Sequence, residues 1–90
     1  MSVKINVYYF LPHLTDDREI VDVTGTTVGE CLNQLVERFP KAKQWLFGKD
    51  GKLSKFLDIY VNLEDTHPDE LNYHVKDDDV IHIVMHLTGG

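Results

Sequence analysis

Cysteine is almost absent from this chain of 90 residues, which contains only Cys31. A single thiol excludes an internal disulfide, a four-cysteine zinc site and a plant-type iron–sulfur cluster. The chain also lacks an apolar run of the length that a transmembrane helix needs. Its N-terminal stretch, MSVKINVYYFLP, lacks the long apolar core and small-residue cleavage site of a signal peptide. These absences predict a cytoplasmic protein with no membrane segment.

Positive charge is scarce as well, since 9 basic residues stand against 15 acidic ones and the formal charge is −6. This balance argues against binding to nucleic acid or to an anionic membrane and favours basic protein partners. The sequence shows no Ser-His-Asp ordering, phosphate-binding loop or catalytic carboxylate pair. A length of 90 residues with 42% hydrophobic content predicts one small folded domain over residues 1–90.

The five histidines do not form a metal-binding pattern. His82 and His86 lie on one predicted strand and are roughly 13 Å apart, at ~3.3 Å per residue, which is too far to share a metal. His13, His67 and His74 lie in predicted turns without the spacing of metal ligands. We therefore expect no metal site.

Alternating apolar residues predict four strands, at about residues 3–8, 19–24, 57–63 and 80–86. The short polar connection between the first two predicts an antiparallel hairpin, with Ile20 and Val23 pointing inward. A short helical turn is expected at about residues 70–73, and a brief edge segment at Val75. The run Asp77-Asp78-Asp79 is expected to form a solvated turn before the last strand.

One amphipathic helix is predicted between the second and third strands. Thr27-Val28-Gly29-Glu30 matches a capping box, and Pro40 ends the helix at about Phe39. Its apolar face is formed by Val28, Cys31, Leu32, Leu35, Val36 and Phe39. A second, short helix is expected within residues 41–48, with Trp45 and Leu46 as its apolar anchors. One main helix covering one face of a mixed sheet of four to five strands indicates an α+β fold.

The last eleven residues, VIHIVMHLTGG, carry the functional signal. Alternation points Ile81 and Ile83 to one side of a strand and His82 and Val84 to the other. The side chains then shrink through Leu87 and Thr88 to Gly89 and Gly90. This pattern predicts a free tail over residues 87–90 that presents the Gly90 carboxylate, with no side chain to block entry into a narrow channel.

The ending Leu87-Thr88-Gly89-Gly90 after an alternating strand resembles the MoaD/ThiS class of ubiquitin-like sulfur carriers. It is similar to the hydrophobic-small-Gly-Gly ending of molybdopterin-synthase small subunits. The resemblance implies a ubiquitin-like β-grasp fold, in which the first and last strands lie side by side and parallel at the centre, followed by a flexible Gly-Gly tail.

The resemblance also implies a carrier rather than an enzyme, with no bound cofactor. A MoeB/ThiF-like activating enzyme would use ATP to adenylate Gly90, and a sulfur donor such as a persulfide-bearing protein would convert it to a thiocarboxylate. The sulfur would pass to an acceptor enzyme that makes molybdopterin, thiamine or a related sulfur-containing metabolite. An alternative is a protein modifier joined through Gly90 to lysines, and a third is a binding domain without tail chemistry.

Partners are expected on the sheet face that the helix leaves open. Tyr8, Tyr60, His82 and Val84 are predicted to lie there, and Leu87 and Thr88 to continue the contact along the tail. The other interpretation of these residues is ordinary cross-strand packing.

Overall fold

The computed structural model describes residues 2–7 and 20–85. Within these ranges the chain forms strands, two α-helices and two short 3-10 turns. In chain order the elements are β1 (Val3–Asn6), β2 (Ile20–Val23), α1 (Val28–Arg38), a 3-10 turn (Pro40–Ala42), α2 (Lys43–Leu46), β3 (Leu57–Val61), β4 (Glu64–Asp65), a 3-10 turn (Glu70–Asn72) and β5 (Val80–Met85).

The described strands form one five-stranded mixed sheet in the order β2-β1-β5-β3-β4. β1 and β5 are adjacent and parallel, with Ile5 opposite Ile81. β2 pairs with β1 and β3 pairs with β5, both in the antiparallel direction. The predicted hairpin and the predicted parallel pair at the centre of the sheet are both confirmed, and the topology is that of a ubiquitin-like β-grasp.

Helix α1 begins at a threonine cap, as predicted. The Thr27 hydroxyl accepts a hydrogen bond from the backbone N–H of Glu30 at 3.2 Å. The Glu30 carboxylate in turn accepts bonds from the backbone N–H and the hydroxyl of Thr26, at 2.6 and 2.8 Å. The return bond of the capping box therefore goes to the residue before the cap. At the other end, the N–H of Phe39 donates to the Leu35 carbonyl, so the helix ends where Pro40 requires.

The core lies between α1 and one face of the sheet. Cys31, Leu32 and Leu35 of the helix are fully buried, as are Ile81 and Ile83 of β5. This confirms the predicted apolar stripe of the helix and the predicted alternation of the last strand. Burial of this continuous apolar surface is the main stabilising contribution in such a small domain.

The prediction for the second strand is half wrong. Val23 is buried as expected, but Ile20 is 53% exposed and Val21 is buried instead. The register explains the error, because Val21 pairs with Ile5 and Val23 with Val3, so that all four share the core face. Ile20 pairs with Asn6 and points to the opposite face.

The second helix forms where it was predicted, but only one of its two expected anchors is buried. Leu46 is fully buried, whereas Trp45 is 40% exposed. Ala42, the last residue of the preceding 3-10 turn, is also fully buried. It lies four residues before Leu46, so the two residues share one face. Trp45 is rotated about 100° from Leu46 around the helix axis, so it leaves the core when Leu46 enters it.

The acidic turn before β5 is less solvated than expected. Asp79 is only 8% exposed, and its carboxylate accepts bonds from the backbone N–H of Lys76 at 2.9 Å and from the side chain of Asn62 at 3.1 Å. Asp77 accepts a bond from the backbone N–H of Ser2 at 2.6 Å. The prediction of a solvated turn is therefore wrong for Asp79, whose carboxylate is part of the structure that starts β5.

The edge of the sheet is also formed differently from the prediction. The edge strands of the described sheet are β2 and β4, whereas Val75 is buried and its backbone N–H donates a hydrogen bond to the Thr26 carbonyl at 3.0 Å. Val75 thus packs beneath the start of α1. The expected helical turn at residues 70–73 is confirmed as a 3-10 turn.

Among the helices of residues 2–7 and 20–85, none is both long and apolar enough to span a membrane.

Candidate functional site

The predicted site has two parts, a sheet surface and a tail, and the structure describes only part of it. Tyr8, Leu87, Thr88, Gly89 and Gly90 lie outside the described residues. The remaining three site residues lie on β3 and β5.

Those three residues come together on the outer face of the sheet, the face opposite to the buried core. Tyr60 pairs with His82 across β3 and β5, and Asp58 pairs with Val84 two residues further along, so both pairs lie on the same face. Their core-facing neighbours Ile59 and Ile83 are buried, so alternation points the three side chains outward. Val84 is 38% exposed, and Tyr60 and His82 are partly exposed.

Leu63 is a further member of this surface that sequence reasoning missed. The sequence predicts Leu63 at the end of the third strand, but β3 stops at Val61 and Leu63 lies in the turn to β4, where it is 96% exposed. Tyr60, Leu63, His82 and Val84 line one shallow depression, which we call the sheet patch. A leucine so exposed beside a valine and a tyrosine is typical of a contact surface for another protein.

A left-handed residue creates the turn that exposes Leu63. Asn62 has φ 57°, a conformation that asparagine tolerates better than most residues. Its side chain donates to the Asp79 carboxylate and accepts from the backbone N–H of Val80, each at 3.1 Å. The asparagine in NLED was the available sequence signal for a turn at this place.

The surroundings of the sheet patch are acidic. Asp58 lies beside Val84 on the neighbouring strand, and Glu64 and Asp65 form the exposed edge strand β4 next to Leu63. Glu64 accepts a hydrogen bond from the Tyr73 hydroxyl, and this bond raises the pKa of Tyr73. An apolar centre with an acidic border suits a partner with an apolar surface surrounded by basic residues.

Among the described residues, neither Cys31 nor His67 has the surroundings of an enzymatic or metal-binding side chain. Cys31 is fully buried, and burial together with the charge of Glu30 raises the pKa of its thiol to about 11. It is therefore protonated and shielded, as expected for a core residue rather than a nucleophile. His67 is exposed and bonds the Glu70 carboxylate at 3.0 Å, which raises its pKa. No cluster of metal-ligating side chains occurs within the part of the chain that the structure describes.

Comparison with known proteins agrees with this architecture. The family model of the ThiS family matches residues 6–90, nearly the whole chain. The chain belongs to the ThiS family. A comparison with curated protein sequences gives no match.

Solved structures similar to this ThiS-family chain include two that contain CysO. The BexX/CysO complex of Amycolatopsis orientalis contains a chain of 30% identity with a TM-score of 0.87, over 98% of this chain and 99% of that one. CysO of Mycobacterium tuberculosis is 26% identical with a TM-score of 0.85, over 94% and 99% of the two chains. The small archaeal modifier protein SAMP1 of Haloferax volcanii, at 24% identity, a TM-score of 0.85 and 100% coverage of both chains, shares the fold.

Membership of this family defines the general class of the protein. Its members are small ubiquitin-like carrier proteins rather than enzymes. The A. orientalis relative occurs in a complex with a second protein, BexX.

Proposed function

We propose that this protein is a sulfur carrier whose Gly90 carboxylate is converted to a thiocarboxylate. The observation that carries the proposal is the match of the ThiS family over residues 6–90, which includes the Gly89-Gly90 ending. Activation consumes ATP, so the proposal includes a cytoplasmic location and an activating enzyme of the ThiF or MoeB kind. The acceptor would be an enzyme that builds molybdopterin, thiamine or a related sulfur-containing metabolite.

The proposed chemistry starts from a carboxylate, which is a poor acyl donor because its leaving group would be oxide. A Gly90 carboxylate oxygen attacks the α-phosphorus of ATP, pyrophosphate leaves, and an acyl adenylate forms. Hydrosulfide then attacks the carbonyl carbon and AMP leaves, which yields the thiocarboxylate. When a persulfide delivers the sulfur, an acyl disulfide forms first, and a thiol cleaves it while being oxidised to a disulfide with the donor.

The sulfur in this scheme comes from outside the chain. Cys31 is the only cysteine in the sequence, and it is buried with a raised thiol pKa. A thiol in this state supplies neither a nucleophile nor a persulfide. The role of the chain is to carry the reacting carboxylate to its partners.

The position of β5 supports a role in presentation. β5 lies between β1 and β3, and its last residue, Met85, pairs with Leu57 of β3. β1 pairs with the first half of β5, Val80 to His82, and β3 pairs with it as far as Met85, so the strand is a rigid base for the residues that follow it. Gly90 is five residues beyond Met85, so its carboxylate lies within about 18 Å of the end of the strand.

In this proposal the sheet patch is the docking surface for the activating enzyme. Tyr60, Leu63, His82 and Val84 form its described part, and we expect Tyr8, Leu87 and Thr88 to extend it. Gly90 is six residues after Val84 in the sequence, so the patch and the reacting carboxylate belong to one continuous segment of the chain. An enzyme that binds the patch therefore holds the tail at high effective concentration beside its nucleotide site.

The experiment that tests the proposal is intact-mass analysis after incubation with an activating enzyme, ATP and sulfide. The expected product shows the mass gain of one oxygen exchanged for sulfur, and incubation without ATP shows no gain. Unchanged mass under complete conditions, with a related carrier loaded in parallel by the same enzyme, contradicts the proposal.

The same experiment examines the second candidate function, a protein modifier joined through Gly90 to lysines. The structural similarity to an archaeal modifier protein favours keeping this candidate. Both functions require adenylation, so they differ only in the attacking group. Adducts of protein size in cell extract, resistant to thiols and absent when Gly90 is deleted, would indicate conjugation to lysines.

A further inference from the structure

The basic residues of this acidic protein are concentrated in one segment, residues 41–55. It contains five lysines and one aspartate, so its formal charge is +4, while the other residues carry −10 of the total of −6. The five lysines are Lys41, Lys43, Lys49, Lys52 and Lys55, and all of them are exposed. The molecule is therefore strongly polarised, and the sulfur-carrier proposal does not use its positive side.

Three of these lysines surround a groove with an apolar floor. Lys41, Lys43 and Lys49 line it together with Pro40 and Phe47, around α2 and the turn that follows. Phe47 is partly buried against the core, and its remaining surface lines the groove. Trp45, 40% exposed, lies on the same short helix. The groove thus offers aromatic surface with ammonium groups at its border.

The loop that closes the groove is held by backbone hydrogen bonds. The N–H of Gly48 donates to the Lys52 carbonyl at 2.8 Å, and the N–H of Ser54 donates to the Leu46 carbonyl at 2.8 Å. Phe47 and Leu53 form an isolated antiparallel bridge between these two bonds. The surface is therefore formed before any partner binds, which lowers the entropic cost of binding.

The charges of the groove are not neutralised within residues 2–7 and 20–85. Lys4 forms an ion pair with Asp22 at 3.4 Å, but none of the five lysines in the basic segment has such a partner in the described ranges. The acidic residue of the segment, Asp50, accepts a bond from the backbone N–H of Lys52 at 3.0 Å. With respect to the described residues, these ammonium groups are therefore available to an anionic ligand.

We propose that this groove binds an acidic segment of a partner protein, with an apolar side chain on Phe47 and carboxylates on Lys41, Lys43 and Lys49. A short acidic peptide fits because the positive region is small and has an apolar floor. A long polyanion such as RNA fits less well, since beyond the groove it would meet the net negative charge of the remaining chain. The groove is formed by the 3-10 turn Pro40–Ala42, by α2 and by the turn that follows α2. The sheet patch is formed by β3, β5 and the turn after β3, so the two surfaces consist of different residues.

The probe for this proposal is a short synthetic peptide in which glutamates flank two central leucines, titrated into isotope-labelled full-length protein. We expect the changes in amide chemical shift to be confined to residues 40–56 and the affinity to fall as salt is added. A peptide with lysine in place of glutamate, and one with alanine in place of leucine, should each lose most of the binding. No activating enzyme is present, so the result is independent of the chemistry at Gly90.

Two variants with the same net charge provide the decisive comparison. Lys43→Glu/Lys49→Glu should weaken binding of the glutamate peptide about tenfold, because two favourable pairs become repulsive. Lys4→Glu/Lys76→Glu changes the charge of the chain equally but lies outside the groove, and its affinity should stay within about twofold of wild type. Circular dichroism confirms that both variants are folded.

Three results would overturn the proposal. Equal weakening by both variants would mean that the peptide responds only to total charge. Tighter binding of oligouridine of the same length at the same salt concentration would assign the groove to a polyanion. A concentration-dependent dimer in sedimentation that disappears in Lys43→Glu/Lys49→Glu would assign it to a second copy of the chain.

Discussion

Asn62 and Asp79 are joined by a hydrogen bond of 3.1 Å from the asparagine amide to the aspartate carboxylate. The same asparagine accepts a bond from the backbone N–H of Val80, so one side chain ties the turn after β3 to the start of β5. The turn presents Leu63 to the sheet patch, and β5 leads to the tail. The position of Leu63 relative to His82 and Val84 of β5 therefore depends on this connection.

Replacement of Asn62 should weaken this connection measurably. Asn62→Ala leaves the largely buried Asp79 carboxylate with one partner fewer and places a Cβ-bearing residue without a polar group at φ 57°. We expect a loss of about 1–3 kcal/mol in the free energy of unfolding, measured with urea. Asn62→Gly removes the same side-chain hydrogen bonds, but glycine adopts a positive φ without strain. Its loss in free energy of unfolding should therefore be smaller than that of Asn62→Ala. Asn33→Ala, on the exposed side of α1, is the control and should leave stability within about 0.5 kcal/mol of wild type.

Two leucines in opposite environments allow a matched test of the core. Leu35 is fully buried and Leu63 is 96% exposed. Leu35→Ala should cost about 2–5 kcal/mol, because α1 can collapse only partly onto the void. Leu63→Ala should change stability by less than about 0.5 kcal/mol. Equal denaturation midpoints for the two variants would contradict the placement of Leu35 in the core.

A charge in the sheet patch should weaken docking without unfolding the domain. Val84→Asp places a carboxylate among Tyr60, His82 and Leu63, next to Asp58 on the neighbouring strand. Burial of this unpaired charge at an interface should reduce affinity for the activating enzyme by about tenfold or more. Calorimetry with the purified enzyme measures the change. Asn33→Asp adds the same charge on the exposed side of α1 and should bind like wild type, while unchanged affinity of Val84→Asp would point to another surface.

The length of the tail should be critical for the proposed chemistry and unimportant for folding. Deletion of Gly90, or addition of one residue after it, moves the reacting carboxylate by ~3.3 Å. A misplacement of ~1 Å can already reduce the rate ~100-fold, so neither variant should gain sulfur. The thermal midpoint should stay nearly unchanged, since the core formed by residues 2–7 and 20–85 extends to Ile83, with Met85 packed against it, and does not need Gly90. Sulfur loading of either variant at the wild-type rate, without prior proteolysis, would exclude Gly90 as the reacting residue.

The pair of His67 and Glu70 should have a pH dependence of defined sign. The hydrogen bond to the Glu70 carboxylate, followed by its charge, raises the pKa of His67 in the folded state. Protonated His67 therefore stabilises the folded state while Glu70 is ionised, and this contribution is lost as the pH rises through the raised pKa. Glu70→Gln should lower the pKa of His67 towards its ordinary value in an NMR titration. Glu37→Gln, on the exposed side of α1, should leave the His67 titration unchanged.

Local patterns in the sequence were sufficient to predict which residues are buried where that depends only on the periodicity of a single helix or strand. The stripe of Val28, Cys31, Leu32 and Leu35 and the cap at Thr27 follow from helical periodicity, and the helix forms within one residue of its predicted limits. Alternation likewise placed Ile81 and Ile83 on one side of the last strand, and both are buried in the core. The Gly-Gly ending indicated the family, which the match over residues 6–90 shows. These features involve residues a few positions apart, so short-range geometry determines them.

Tertiary structure decided the features that depend on pairing between distant residues. Ile20 lies outside because the register with β1 turns Val21 inward, and Trp45 lies outside because Ala42 and Leu46 share the buried face. Leu63 joins Tyr60, His82 and Val84 only because Asn62 turns the chain beside β5, and Asp79 is buried by the same contact. Lys41 and Lys49 border one groove because backbone bonds close the loop after α2. The sequence alone did not determine these positions, since burial and neighbours are set by strand register and by packing between segments of the chain.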